Sequence, residues 1–302
     1  MRADYNPAPM PKPPPSSPLE ETVAIVGVGL IGGSLAAALR QRKVARRVIG
    51  VGRDASRLEA ARTAGLIDEG STDLADVARR ANLIVFCTPV ERVAEGVRTV
   101  LAALASDSPL VTRHSSLLLT DAGSVKGPIC EALADVPNFI GAHPIAGSHR
   151  QGFEAAEADL FEGRVCVLTP LPTADQEQLR RLERFWRAVG MRPVTMTPDD
   201  HDRALAMTSH VPHVVAASLA ATLSPENRPF TGTGFRDTTR VAAGDPALWS
   251  GILLNNAAHV IDGLESLQQR LESFRTAIQL GHAEVLTQLL SEGQRGRESL
   301  DS

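Results

Sequence analysis

Residues Val23-Ala24-Ile25-Val26-Gly27-Val28-Gly29-Leu30-Ile31-Gly32-Gly33-Ser34 join a β-branched run to an Ala- and Leu-rich stretch that ends near Arg40. The spacing G-x-G-x-x-G predicts a strand, a tight turn and a helix, and each glycine has its own steric task. Gly27 permits the turn, Gly29 lets the backbone approach a diphosphate, and Gly32 lets the helix pack close to the strand. The free amides where that helix opens, at Leu30 and Ile31, and the positive end of its dipole suit the diphosphate of a dinucleotide. A glycine turn alone also joins strands to helices that bind nothing. Here the correct elements on both sides favour the dinucleotide.

A second strand, 47–52, ends in Gly52-Arg53-Asp54, with Arg57 following. NAD sites usually place an acid at this strand end to accept hydrogen bonds from the adenosine ribose. A glycine there leaves room, and the Arg53 guanidinium can grip a 2′-phosphate, so NADP is admissible beside NAD. In the alternative, Arg53 stacks on adenine in an NAD site. Residues 55–64 have helical spacing, and 82–87 form a continuous apolar run ending in Thr88-Pro89, as in a strand buried on both faces of a parallel sheet. A further strand, 117–121, delivers Asp121-Ala122-Gly123-Ser124-Val125-Lys126, with Ser124 expected to cap the next helix. Ligands of open α/β sheets lie at the carboxyl ends of strands, where Thr88, Pro89, Asp121 and Ser124 fall. The run 139–148 is again a strand entering a glycine-rich loop. It places His143 beside a nicotinamide; a lone histidine is more often structural, but this position favours chemistry. A strand at 164–169, an amphipathic helix at 175–189 and a last strand at 191–196 complete the pattern.

From Pro198 onward, helical runs replace the alternation of strands and helices. The expected architecture is a Rossmann-type, doubly wound, mostly parallel sheet (21–197) followed by an all-α domain (198–292). A disordered Pro-rich tail (1–20) precedes it, and a frayed polar tail (293–302) follows it. Two domains suit 302 residues with 43% hydrophobic content. Later helices are expected at 246–264 and 265–290, and the Ala and Leu content beyond what one outer layer needs predicts a homodimer through the helical domain. A net charge of −4 gives no electrostatic reason to expect nucleic acid or an anionic membrane, and no stretch reads as ~20 consecutive apolar residues. Cys87, Cys130 and Cys166 are distant and odd in number, which suits reduced thiols in a cytoplasmic enzyme.

The dinucleotide turn together with Asp121-Ala-Gly-Ser124-Val-Lys126, His143-Pro-Ile-Ala-Gly147, Ser209-His210-Val-Pro-His213 and Gly234-Phe-Arg-Asp-Thr-Thr-Arg240 resembles the prephenate/arogenate dehydrogenase family of tyrosine biosynthesis, over nearly all of 21–290. The resemblance implies oxidative decarboxylation of a cyclohexadienol with hydride transfer to NAD or NADP. His143 then matches the catalytic histidine, and Ser124 the serine that hydrogen-bonds and orients it; helix capping is the plain alternative. Arg240 and His210 match substrate-binding residues, with His213 a turn further on. A neutral imidazole suits the 4-hydroxyl proton, and a guanidinium suits a carboxylate of prephenate or arogenate. Arg236 is expected in a salt bridge with Asp237 or Asp245. His149 stands where many prephenate-using relatives carry a glutamate, which leaves the preferred substrate open. Two other enzyme or binding classes compete. A β-hydroxyacid-type dehydrogenase would want a lysine in the helical part, yet none follows Lys126; a dinucleotide sensor would not need His143, His210 and Arg240. A metal held by His201, His210 and His213 lacks a carboxylate or cysteine at comparable spacing, so no metal is expected.

Overall fold

Eight strands form one sheet, the central ones short, largely apolar runs buried on both faces. A computed structural model describes residues 18–105, 117–147 and 150–300. Its strands are β1 (Glu20–Val26), β2 (Ala45–Val51), β3 (Glu69–Ser71), β4 (Leu83–Phe86), β5 (Leu118–Asp121), β6 (Phe139–Pro144), β7 (Val165–Thr169) and β8 (Arg192–Thr195). They lie in the order β3-β2-β1-β4-β5-β6-β7-β8, parallel throughout except for the antiparallel β6–β7 pair. The two-residue period of the strands sorts the core into two layers. Val23, Ile25, Leu83 and Val85 face one layer with Leu35, Leu58, Phe161 and Trp186. Ala24, Ile84 and Phe86 face the other with Val93, Val97, Val100 and Phe139.

The sequence pattern misses β3 and the short helix Leu74–Ala78, because Glu-Gly-Ser carries no strand propensity and gains its pairing only from β2. After β8 the chain is helical. Pro198–Leu205, a π turn Ala206–His210 and Val211–Ala221 run on as one helix. This corrects the reading that no apolar stretch is long enough for a membrane, since 198–221 passes by length and composition. Yet its buried residues include His201, Asp202, His210 and His213, which pack inside the protein.

The later helices are Thr233–Thr239, Pro246–Asn255, Ala257–Gln279 and Ala283–Glu298 rather than 246–264 and 265–290. The first break comes at Asn256, whose side chain is drawn into a buried hydrogen bond; the second comes at Gly281, with φ +67°. The expected fraying from 293 is also corrected. Gln, Arg and Glu sustain the helix to Glu298, aided by Gln294 donating to Glu298 at 2.9 Å. Most of the Pro-rich tail lies outside the described residues, as does His149.

Candidate active site

The glycine turn has the geometry its spacing demands. Gly27 has φ +96°, and a Cβ there would lie 2.7 Å from the Cys87 carbonyl oxygen. A Cβ on Gly32 would lie 2.1 Å from the Gly27 carbonyl oxygen, so helix Leu30–Gln41 could not approach the turn. Around Gly29, by contrast, a Cβ would meet no protein atom within 4 Å. That space, at the mouth of a helix whose first amides have no partner within the helix, fits a diphosphate. Thr88 stands beside the turn with its hydroxyl buried and without a partner among the described residues, and Pro89 next to it is exposed.

At the end of β2, Gly52 and the exposed Arg53 stand together, and Arg53 has no ion pair among the described residues. Asp54 is committed elsewhere. It caps helix Ala55–Thr63, accepting from the amides of Ser56 at 2.9 Å and Arg57 at 3.2 Å. The Ser56 hydroxyl and these amides hold its carboxyl below the usual range.

His143 is the penultimate residue of β6, and a network reaches it from both domains. Its Nδ1 lies 2.8 Å from Nε2 of His201, whose Nδ1 lies 2.7 Å from Oδ1 of Asp202. The Asp202 carboxylate also accepts the amides of Lys126 and Gly127, each at 2.7 Å. This explains why Ser124 is not the cap it was expected to be. Lys126 occupies the N-cap position of helix Gly127–Ala132 without a side-chain bond, and an acid from the helical domain supplies the acceptor. Nor does Ser124, half-buried, hydrogen-bond His143 among the described residues; His201 takes that place.

Beneath His143, Asp121 and Lys126 form a fully buried ion pair. Lys126 Nζ also donates to the Ala142 carbonyl at 2.8 Å, and Asp121 accepts the amides of Gly123 at 2.8 Å and Ala142 at 3.0 Å. Lys126 Nζ and Asp121 Oδ1 thereby hold the carbonyl and the amide of Ala142, the residue next to His143. Desolvation by burial above all, with the Lys126 charge adding to it, keeps the His143 imidazole well below its ordinary pKa. The ring is therefore uncharged at physiological pH.

The network continues through Asn256, which donates to the Asp202 carbonyl at 2.7 Å and lies 3.1 Å from His210 Nδ1. Burial lowers His210 to about 4, against the opposing effect of Asp202. His213 stacks on Trp249 with ring centroids 3.6 Å apart, and its pKa is also lowered by burial. Arg240 does not join this cluster. It is exposed, one residue beyond helix Thr233–Thr239.

Arg236 has no ion pair among the described residues, which corrects the expected salt bridge. Asp245 instead caps helix Pro246–Asn255 through Leu248 and accepts from Gln151 at 3.0 Å. No cluster of three or more His, Cys, Asp or Glu side chains suited to a metal occurs among the described residues. His201, Asp202, Lys126 and Asn256 were not foreseen as site residues. The one available signal was His201-Asp202 itself, an imidazole next to a carboxylate at the start of the first helix after the sheet.

Residues 35–195 match the family model described as prephenate dehydrogenase, nucleotide-binding domain, and residues 197–292 match prephenate dehydrogenase, dimerization domain. A prephenate dehydrogenase of Bacillus subtilis is 32% identical over 292 residues, covering 93% of this chain and 76% of the relative. The structure of Aquifex aeolicus prephenate dehydrogenase with hydroxyphenyl propionate and NAD+ superposes with a TM-score of 0.83 at 31% identity, covering 93% of this chain and 98% of that one. Synechocystis arogenate dehydrogenase gives a TM-score of 0.76 at 34% identity, covering 92% and 99%. With the diphosphate cradle, the neutral imidazole and both family models aligned along one chain, this protein belongs to the prephenate dehydrogenase family and is an NAD(P)-dependent dehydrogenase.

Proposed function

We propose that this enzyme oxidatively decarboxylates prephenate or arogenate with His143 as the base. The observation that carries this reading is the His143–His201–Asp202 chain, at 2.8 and 2.7 Å, at the carboxyl ends of the same parallel strands as the Gly29 cradle. The carboxylate of Asp202 only accepts, so His201 donates from Nδ1 and accepts at Nε2. His143 must therefore donate from Nδ1, which leaves the lone pair on its Nε2 for the substrate's 4-hydroxyl proton. When bound, the nicotinamide accepts the hydride from ring C4. As His143 gains the proton, the Asp202 charge stabilises it through His201. Loss of the ring carboxylate as carbon dioxide then sends its electron pair through the ring to the C4 oxygen, which takes the proton back from His143 as the ring becomes aromatic. Thr88, Pro89, Leu30, Ile31 and Ser124 line the strand ends and helix mouth that would hold the cofactor.

His210 and His213 are assigned to the substrate face, and Arg240 to a substrate carboxylate. The exposure of Arg240, and of Leu254, Ile261, Leu271, Ile278 and Leu290, supports a homodimer through the helical domain. Reduced cysteines suit the cytoplasm. Gly52 and Arg53 support acceptance of NADP as well as NAD. Steady-state rates with prephenate and arogenate, each crossed against NAD+ and NADP+, test the reading; no reduction of either cofactor with either substrate would overturn it.

A further inference from the structure

Although Gly52 leaves the end of β2 without an acid, the fold carries a carboxylate to that neighbourhood from a remote segment. Beyond β6 the chain returns as a single helical turn, Phe153–Ala155, over the start of helix Leu30–Gln41. Phe153 is buried against Gly33, where a Cβ would lie 3.2 Å from Phe153 Cβ, and the Glu157 amide donates to Ser34 Oγ at 3.0 Å. The turn is thus fastened to the helix that carries the diphosphate cradle. From it Glu154 reaches to 3.7 Å from the Arg57 guanidinium, which itself lies 5.7 Å above the Phe153 ring. Arg57 is in the first turn of helix Ala55–Thr63, one turn past Arg53, while Asp54 is occupied in capping. Glu154 and Arg57 are 64% and 57% exposed at their side chains, so a ligand can reach both and exchange partners.

We propose that Glu154 is a specificity-determining residue that discriminates between cofactors with a 2′-hydroxyl and those with a 2′-phosphate. This rests on the dinucleotide site described above, with its adenosine end at Gly52 and Arg53. A ribose hydroxyl can donate to the Glu154 carboxylate and leave its pairing with Arg57 intact. A 2′-phosphate is repelled by Glu154 and must displace it to pair with Arg57. Removing the Glu154 charge therefore favours the phosphorylated cofactor, and removing the Arg57 charge disfavours it.

Titration calorimetry on the full chain, with adenosine 2′,5′-bisphosphate and 5′-AMP as probes, reads this without turnover. One unit charge about 4 Å away in water alters binding about fivefold. Glu154→Gln should therefore raise the bisphosphate to 5′-AMP affinity ratio about fivefold or more, and Arg57→Gln should lower it by a similar factor. A ratio in Glu154→Gln within about twofold of wild type overturns the proposal. In that outcome a lowered ratio in Arg57→Gln would still put a cation at the 2′ position and leave the adenosine placement standing without Glu154. A wild-type chain that binds neither probe overturns the adenosine placement, and the proposal with it.

Discussion

Replacing Asp202 by Asn keeps the size of the side chain and removes its charge, and the hydrogen bonds around it leave the amide two ways to sit. If Oδ1 stays toward Lys126 N and His201 Nδ1, the new NH2 faces the Gly127 amide, which the carboxylate now accepts at 2.7 Å. Two buried donors then oppose each other, at a cost of about 1–3 kcal/mol. If the amide turns over, its NH2 faces the Lys126 amide, a buried donor then left opposed, and His201 Nδ1, which must become an acceptor. His201 then donates from Nε2, His143 accepts at Nδ1, and the proton moves to His143 Nε2, where the base should be. Either arrangement also removes the charge that stabilises protonated His143. By analogy with other buried acid–histidine pairs, kcat should fall roughly 10²- to 10⁴-fold. Cofactor affinity should be unchanged, because the Gly29 cradle does not involve Asp202. The assay is nicotinamide absorbance under saturating substrate, with calorimetric titration of NAD+ and thermal unfolding run alongside. A folded Asp202→Asn protein with kcat within about threefold of wild type would refute the tautomer argument.

Gly29→Ala should fold normally, since its methyl meets no protein atom, but should weaken cofactor binding by an order of magnitude or more; Gly32→Ala, with its Cβ 2.1 Å from a carbonyl, should unfold at lower denaturant. The ratio of NAD+ affinity to urea midpoint across the two variants checks this. The acid limb of kcat/KM should lie well below pH 6.5, since His143 stays neutral there, and a limb at 6.5 or above would refute the burial argument. Stability follows the same sign. The unfolded chain takes up protons near pH 6.5 and the folded His210 only near 4, so stability is full above 6.5 and declines as pH falls toward 4, readable as a falling urea midpoint. Arg240→Gln should chiefly raise KM for the substrate, with kcat little changed; an unaltered KM would pass the carboxylate role to another residue.

The parallel sheet was legible because buried strands such as Leu83–Phe86 are uninterrupted apolar runs, and because the glycine spacing admits few backbones. His143 was legible because a strand end is a place in the topology as much as in the sequence. Its partners were not. His201 and Asp202 lie 58 and 59 residues further along the chain, and only the packing of the helical domain brings them to β6. Ser124 was misread for the same reason: its capping potential is local, and the acceptor used comes from Asp202. The end of the helix Ala283–Glu298 is not legible because its polar run has no apolar periodicity to mark it as helix, although Glu, Gln and Arg propagate helices well.

Asp202 caps a helix of the sheet domain and anchors a histidine of its own domain with the same carboxylate. The two domains are consequently not exchangeable parts. A chimera that joined this sheet domain to a relative's helices would bind dinucleotide, because the cradle is local, yet it would be inert unless the incoming helix set an imidazole opposite His143 and a carboxylate opposite the amides of Lys126 and Gly127. Recombination within the family is therefore constrained less at the 195–198 linker than at this contact, where a mismatch would leave two amides uncapped and the base without its proton acceptor in the same event.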